Sequence, residues 1–323
     1  MTDRKGTTDQ PLALVAGGSR GLGLALAHEL GRTGYRVVIT ARTAADLDRA
    51  ATQLTADGIT ALTRVHDVRD AAGARELVST IESEHGPIEV MIMVAGIIRV
   101  GASPHDAEEF DESIDIMLRG PIAMVQAVLP GMKERRRGRI GVVSSIAGIV
   151  PTPHLVPYTA AKFGAVGYTR SLSTELSGSP VTVSLITPGL MRTGGHWNAE
   201  YVGQPAQEYR WFTLLSAIPV VSADARRAAR IIVRGVLAGR HKIIFTPLAR
   251  VGEIAERISP TAVDRVTGLL GRLLPPPGDD HQPGRLASRS TSQLFRRMTT
   301  PAREAVRRFN QVTAHGNDTE ATP

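Results

Sequence analysis

Short, continuously apolar runs alternate with stretches of helical period along the first three quarters of the chain. Residues 12–17, LALVAG, are apolar and end in glycines, the pattern of a buried strand closed by a turn. A helical period covers residues 21–33, YRVVIT (35–40) reads as a second strand, and 44–57 as a second helix. TALTRV (60–65), IEVMIMVAG (88–96), GRIGVVSSI (138–146), VTVSLIT (181–187) and HKIIFT (241–246) supply five further strands. Between them lie helices over 70–85, 157–177 and 224–238, and a long helical region that breaks near Gly120–Pro121 and ends near Lys133. Seven strands alternating with helices predict an α/β, doubly wound (Rossmann), mostly parallel seven-stranded sheet with helices on both faces. Such sheets bind ligands beyond the carboxyl ends of their strands, so residues that follow strands are the candidates for chemistry.

The pattern changes after residue 247. Residues 248–312 predict a helical C-terminal extension, and 11–247 a dinucleotide-binding domain that includes a lid at 190–220. Two helices are expected over 248–274, broken at Ser259–Pro260 and stopped by the prolines at 275–277. Val263, Val266, Leu269, Leu270, Leu273 and Leu274 fall on one stripe, with Arg265 and Arg272 off it. Two readings stay open. A basic amphipathic helix suits an anionic membrane surface or a partner, and the same stripe suits packing on the domain or on a second subunit. Residues 278–292 read as a polar linker and 293–312 as a basic helix, with 1–10 and 313–323 expected to be disordered.

Composition narrows the chemistry. The 323 residues are 42% apolar and contain no cysteine, which removes disulfides, thiolate zinc sites and cysteine nucleophiles. The nine histidines lack ligand spacing, so no metal is expected. The net charge of +7 is uneven: residues 240–323 carry thirteen Arg and Lys against eight Asp and Glu, leaving the main body nearly balanced. Arginines are spread through helices without interleaved aromatics, and Arg135–Arg139 reads as a solvated turn, so no nucleic-acid partner is expected. The polar start and the lack of a run of about 18 apolar residues predict a cytoplasmic protein, peripheral to the membrane at most.

The segment AGGSRGLG (Ala16–Gly23) joins the first strand to the first helix with G-x-x-x-G-x-G spacing at Gly17, Gly21 and Gly23. Glycines let the backbone turn tightly and approach a ligand, and a helix N-terminus offers free N–H groups to a phosphate. Ser19, Arg20 and Leu22 share the loop. An NAD-specific site usually has an acid at the end of strand two. Here that end reads ITART, with Arg42 and no acid. Two guanidiniums, Arg20 and Arg42, suit a ribose 2′-phosphate, so NADP(H) is the expected cofactor.

YTAAK places Tyr158 and Lys162 one helical turn apart on one face, and Lys162 is one of few lysines in an arginine-rich chain. An ammonium beside a phenol favours the phenolate and makes the tyrosine a usable general acid/base. In the lid, Trp197, Tyr201, Tyr209, Trp211 and Phe212 are five of the thirteen aromatic residues, a concentration that suits either an apolar substrate or the lid's own packing.

Together these residues resemble the short-chain dehydrogenase/reductase family over roughly residues 11–247. The resemblance implies that Asp67 and Val68 contact adenine, and that Ala95 and Gly96 let the cofactor pass closely. It also implies that Pro188, Gly189, Leu190 and Thr193 hold the nicotinamide end. Ser145, thirteen residues before Tyr158, completes the implied catalytic set Ser145, Tyr158 and Lys162. Tyr158 would exchange the proton, Lys162 would lower its pKa and hold the nicotinamide ribose, and Ser145 would bond the substrate oxygen. The expected function is NADP(H)-dependent hydride transfer on a small apolar carbonyl/alcohol substrate, in a homo-oligomer. Two departures support the alternative of a non-catalytic NADP(H)-binding sensor or scaffold. The family's NNAG is here Met93, Val94, Ala95, Gly96, and its catalytic asparagine corresponds to Met117, whose thioether is a poor acceptor and no donor.

Overall fold

The computed structural model describes residues 10–102, 105–219 and 221–312. The terminal segments expected to be disordered, 1–10 and 313–323, lie outside these residues apart from Gln10. Along the chain, β1 (Leu12–Ala16) leads to α1 (Gly21–Arg32), β2 (Arg36–Ala41) to α2 (Ala44–Ala56), and β3 (Ala61–Val65) to α3 (Gly73–His85). After β4 (Ile88–Met93) come a short β5 (Arg99–Val100), α4 (Ala107–Ile114), a π turn (Asp115–Arg119) and α5 (Gly120–Glu134). Next follow β6 (Gly138–Val143), α6 (Val156–Glu175) and β7 (Val181–Ile186). The segment expected to form a lid, residues 190–220, contains β8 (Met191–Arg192), β9 (Glu200–Gly203) and α7 (Pro205–Ala217). Then come β10 (Ala223–Asp224), α8 (Ala225–Leu237) and β11 (Lys242–Ile243).

The seven-stranded sheet runs β11-β7-β6-β4-β1-β2-β3, every pair parallel. The chain winds outward from β1 to β3, then returns beside β1 with β4. That reversal opens a crevice at the carboxyl ends of β1 and β4. There the Ala16 carbonyl accepts the N–H groups of Val94 and Ala95 at 2.9 and 3.0 Å, and the Thr40 carbonyl accepts those of Gly17 and Gly18 at 2.9 and 3.0 Å. The loops that follow the strands are thereby fixed to the sheet that carries them.

Both faces of the sheet are covered, which is why its strands are apolar without alternation. On one face Leu26 and Leu30 of α1 pack with Ile232 and Val236 of α8. On the other, Ile81 of α3, Met124 and Val128 of α5 and Ala161 of α6 pack on Leu14, Met91 and Ile140. Each such leucine, isoleucine, valine or methionine side chain, fully buried, contributes about 1.5–3 kcal/mol.

Four expectations need correction. The last strand is the two residues of β11 and not 241–246; beyond it Thr246 turns inward and its hydroxyl accepts the Gly189 N–H at 3.0 Å. The helix does not break at Gly120–Pro121. Pro121 lacks the N–H that an α-helix would donate to the Met117 carbonyl, and the chain widens into the π turn while α4 and α5 stay joined.

The third correction concerns the expected linker at 278–292. It contains β12 (Asp280–Pro283), which pairs antiparallel with β9 while β5 pairs on the other side, and then α11 (Gly284–Ala287). The polar sequence DHQP hid this strand, because it is held by backbone pairing and not by an apolar face. The fourth is the single helix expected over 293–312. It is split at Thr299 into α12 (Gln293–Met298) and α13 (Thr300–Arg308), and residues 309–312 leave it altogether.

The two helices after the domain form as expected, α9 (Pro247–Ile258) and α10 (Pro260–Gly271). Most of the stripe does not pack on this chain's domain: Val263 and Leu274 are half-buried, but Val266, Leu269, Leu270 and Leu273 are exposed, together with Leu248, Val251, Ile254 and Ile258 of α9. No helix among the described residues is long and apolar enough to cross a membrane.

Candidate active site

Every site residue expected from the sequence lines one cleft of about 820 Å³ at the carboxyl ends of the strands. Gly17, Ser19, Arg20, Gly21, Leu22, Gly23, Arg42, Asp67 and Val68 lie toward one end. Ala95, Gly96, Ser145, Tyr158, Lys162, Pro188, Gly189, Leu190 and Thr193 complete it.

The glycine loop is built by close approach. A Cβ on Gly23 would sit 2.0 Å from the Gly17 carbonyl oxygen, and one on Gly17 would sit 2.6 Å from the Ala95 nitrogen. Gly21 has φ +58°, the left-handed region that favours glycine. These three positions press α1 against β1 and β4 so that the helix N-terminus faces the cleft. The first-turn N–H groups of Leu22 and Gly23 have no partner among the described residues. At the far end, His66 Nε2 is buried without a hydrogen-bond partner among the described residues. A backbone cradle for a diphosphate and an unpaired ring nitrogen beside Asp67 and Val68 fit a dinucleotide.

Burial lowers the Arg20 guanidinium from its ordinary pKa, with Arg42 adding to the shift and Asp46 opposing it. The two arginines are therefore close enough to repel, and an anion placed between them would relieve that repulsion. Asp46 and Arg49 also line this end and escaped the sequence reading, which looked for an acid only at the end of β2. Asp46 sits within α2, buried and paired with Arg49, so its carboxylate already has a cationic partner. The Asp67 carboxylate is gripped by Arg69, with Nη2 at 2.6 Å, which holds its pKa below the ordinary value.

At the other end the fold places Ser145 just after β6 and Tyr158 and Lys162 on α6. Ser145 caps a short 3-10 turn, its Oγ accepting the Ala147 N–H at 3.1 Å. Lys162 Nζ donates to the Val143 carbonyl at 3.0 Å, and the preceding Ser144 hydroxyl donates to the Lys162 carbonyl at 2.9 Å. Strand end and helix are thus tied at Ser144 and Lys162, beside the candidate residues Ser145 and Tyr158. Burial brings the Lys162 ammonium down to about 8.

Tyr158 departs from the expected effect. Its pKa is raised and not lowered, because burial outweighs the opposing interaction with the Ser145 hydroxyl. The amine faces the ring, 5.6 Å from its centroid. Met117, in the π turn, is buried with its sulfur 3.5 Å from where a Gly96 Cβ would lie. No amide stands at that position, so Lys162 lacks that hydrogen-bonding neighbour.

The lid aromatics divide between the two roles. Tyr201, Tyr209 and Phe212 pack on one another at ring separations of 5.5 and 6.2 Å in a small core of the lid's own. Trp211 and Phe212 also line the cleft, with Ile98, Leu155, Leu190 and Leu215, so the wall near Tyr158 is apolar. Trp197 lines a separate small cavity with Arg296 and Arg303. A buried dyad, unmarked in the sequence, positions this wall. His154 Nδ1 and Glu208 Oε1 are 2.8 Å apart, and Trp211 Nε1 donates to Glu208 Oε2 at 2.6 Å. The pair joins α7 to the turn that precedes α6.

The family model for the short chain dehydrogenase matches residues 11–201. The chain is a short-chain dehydrogenase/reductase. It is 34% identical over 192 residues to dehydrogenase/reductase SDR family member 4 of Bos taurus, covering 59% of this chain and 69% of the relative. It is 35% identical over 190 residues to a putative ketoacyl reductase of Streptomyces coelicolor, covering 58% and 73%. Among solved structures, a variant of actinorhodin polyketide ketoreductase with NADPH matches with a TM-score of 0.64 at 27% identity, over 74% of this chain and 96% of that one. A metagenomic short-chain oxidoreductase in complex with NADP matches with a TM-score of 0.59 at 26% identity, over 72% and 95%. This short-chain dehydrogenase/reductase is thus an NAD(P)-dependent oxidoreductase, and α9 to α13 lie beyond the matched segment.

Proposed function

We propose that the protein is an NADP(H)-dependent reductase of apolar carbonyl compounds, with Tyr158 as its general acid. The observation that carries this reading is one continuous cleft. It has paired guanidiniums, Arg20 and Arg42, at one end and Ser145, Tyr158 and Lys162 under an apolar wall at the other. Arg20 and Arg42 would hold a 2′-phosphate, and the backbone N–H groups of Leu22 and Gly23 the diphosphate. Asp67 and Val68 would flank adenine, and the Pro188–Thr193 segment the nicotinamide. The bound cofactor supplies the hydride for the carbonyl carbon.

The chain's own residues handle the oxygen. The Ser145 hydroxyl donates to it, and Tyr158 gives it a proton as negative charge develops. A raised phenol pKa keeps Tyr158 protonated at neutral pH, the form a reductase needs. The phenolate left behind sits beside the Lys162 ammonium, which stabilises it and, with a pKa of about 8, can return a proton. Met117 supplies no relay, so the proton reaches Tyr158 through Lys162. In the oxidative direction the same groups act in reverse.

We propose that the exposed apolar face of α9 and α10 contacts either a membrane surface or a second subunit. Four arginines, Arg250, Arg257, Arg265 and Arg272, share these helices with Glu253, Glu256 and Asp264, Arg257 is paired with Glu253, and Leu248 joins the apolar face to the cleft mouth. Apolar substrates would enter from that side.

A library of carbonyl compounds and alcohols, apolar members first, followed by NADPH absorbance, tests the proposal. Turnover of an apolar ketone or aldehyde supports it. Tight NADPH binding with no oxidation across the library would favour a sensor or scaffold, as Met93, Val94 and Met117 would allow.

A further inference from the structure

The last described residues, Phe309 to Val312, leave α13 and cross the rim of the cofactor cleft. The Gly21 N–H donates to the Phe309 carbonyl at 2.9 Å. Asn310 Nδ2 donates to the carbonyls of Ser19 and Asp46 at 2.8 and 3.0 Å, and its Oδ1 accepts from Arg49 Nε at 3.0 Å. Arg49 also donates to the Val312 carbonyl at 3.1 Å. On the opposite rim, Gln311 Nε2 donates to the Thr193 carbonyl at 2.9 Å. Asn198 Nδ2 donates to the Gln311 backbone carbonyl and to its Oε1 at 2.8 and 2.7 Å.

We infer that residues 309–312 are part of the dinucleotide site: a strap that roofs its diphosphate segment and slows cofactor exchange. The inference rests on the reading of the cleft as an NADP(H) site. Three observations carry it beyond a tail that merely packs on the domain.

First, the strap joins both rims, from the glycine loop and α2 on one side to Thr193 and Asn198 on the other. A chain so placed lies across the path between adenosine and nicotinamide. Second, it is built for that position. Phe309 is anchored in the core beside α1, Asn310 and Gln311 are buried, and Asn310 takes φ +53°, a conformation that asparagine tolerates better than most residues. Both functions of the Asn310 amide are satisfied, so the contact leaves no polar group stranded.

Third, the strap does not fill the cleft. Ser19 to Gly23 and Gln311 all line the same open space, and only one first-turn donor, the Gly21 N–H, is taken. The N–H groups of Leu22 and Gly23 remain for the diphosphate. The strap is therefore a roof and not a plug, and a dinucleotide held beneath it leaves only when those hydrogen bonds open.

The test uses the full chain and its Asn310→Ala/Gln311→Ala double variant, which keeps the Phe309 anchor. NADPH is bound to each, its fluorescence is followed after a chase with excess NADP⁺, and circular dichroism checks that both are folded. The strap predicts dissociation at least tenfold faster from the variant, with weaker equilibrium binding. It also predicts that NADPH protects the C-terminal segment of the parent from proteolysis. Equal exchange rates in two folded proteins would overturn the strap while leaving the cofactor reading intact. Slower exchange or tighter binding in the variant would overturn it as well, making the segment an obstacle to binding. Failure of the parent to bind NADPH at all would sink the cofactor reading, and the strap with it.

Discussion

Lys162 Nζ lies 5.6 Å from the centroid of the Tyr158 ring, and its hydrogen bond goes to the Val143 carbonyl and not to the phenol. Before any ligand arrives, burial therefore dominates both groups, raising the phenol and lowering the amine. In the proposed reaction such a pair would keep Tyr158 protonated until the carbonyl oxygen takes its proton, with a cation at hand for the phenolate.

This ordering has a consequence for stability. Lys162 titrates near 8 in the folded protein and near 10.5 when unfolded. Between those values the unfolded chain binds more protons, so stability rises with pH across that window. Below pH 8 the buried charge carries its full penalty, roughly 3 kcal/mol. Thermal unfolding of the cofactor-free protein between pH 7.5 and 9.5 should show Tm rising with pH in the parent. Lys162→Met should be the more stable at pH 7.5 and should lose that rise. Equal slopes in the two proteins would contradict the assignment.

The paired guanidiniums predict cofactor choice. NADPH should bind more tightly than NADH, and Arg42→Ala should narrow the gap by at least tenfold, chiefly through weaker NADPH binding. Equal affinities in the parent, measured by titration calorimetry, would refute the 2′-phosphate argument.

Two glycine substitutions should act in opposite directions. In Gly23→Ala the new methyl meets the Gly17 carbonyl at 2.0 Å, so the loop must shift. About 2 kcal/mol or more of stability, and NADPH binding with it, should be lost. In Gly167→Ala, within α6, the methyl meets nothing within 4 Å, and the helix should gain about 0.5–1 kcal/mol. Denaturant titration distinguishes the two.

The sheet was legible because its strands are buried on both faces and read as unbroken apolar runs. The glycine loop and the Tyr158–Lys162 pair were legible because their spacing is local. What stayed hidden depends on contacts distant in the chain. Asn310 means nothing until the fold brings it to Ser19 and Asp46, more than 260 residues away. His154 and Glu208 meet only when α7 closes on the turn before α6. β12 carries no apolar face, and its partner β9 lies some eighty residues earlier. The direction of the Tyr158 shift was misjudged for a related reason. Spacing brings an amine near a phenol, but burial, which outweighs it, comes from the whole fold.

The central claim is that Tyr158 gives its proton to the substrate oxygen. The most direct measurement compares the parent with Tyr158→Phe, using NADPH titration and turnover of a ketone identified by the library. NADPH affinity should stay within a few-fold, and kcat should fall by about 10²–10⁴-fold. A variant that binds NADPH and turns over at the parent's rate would contradict the account.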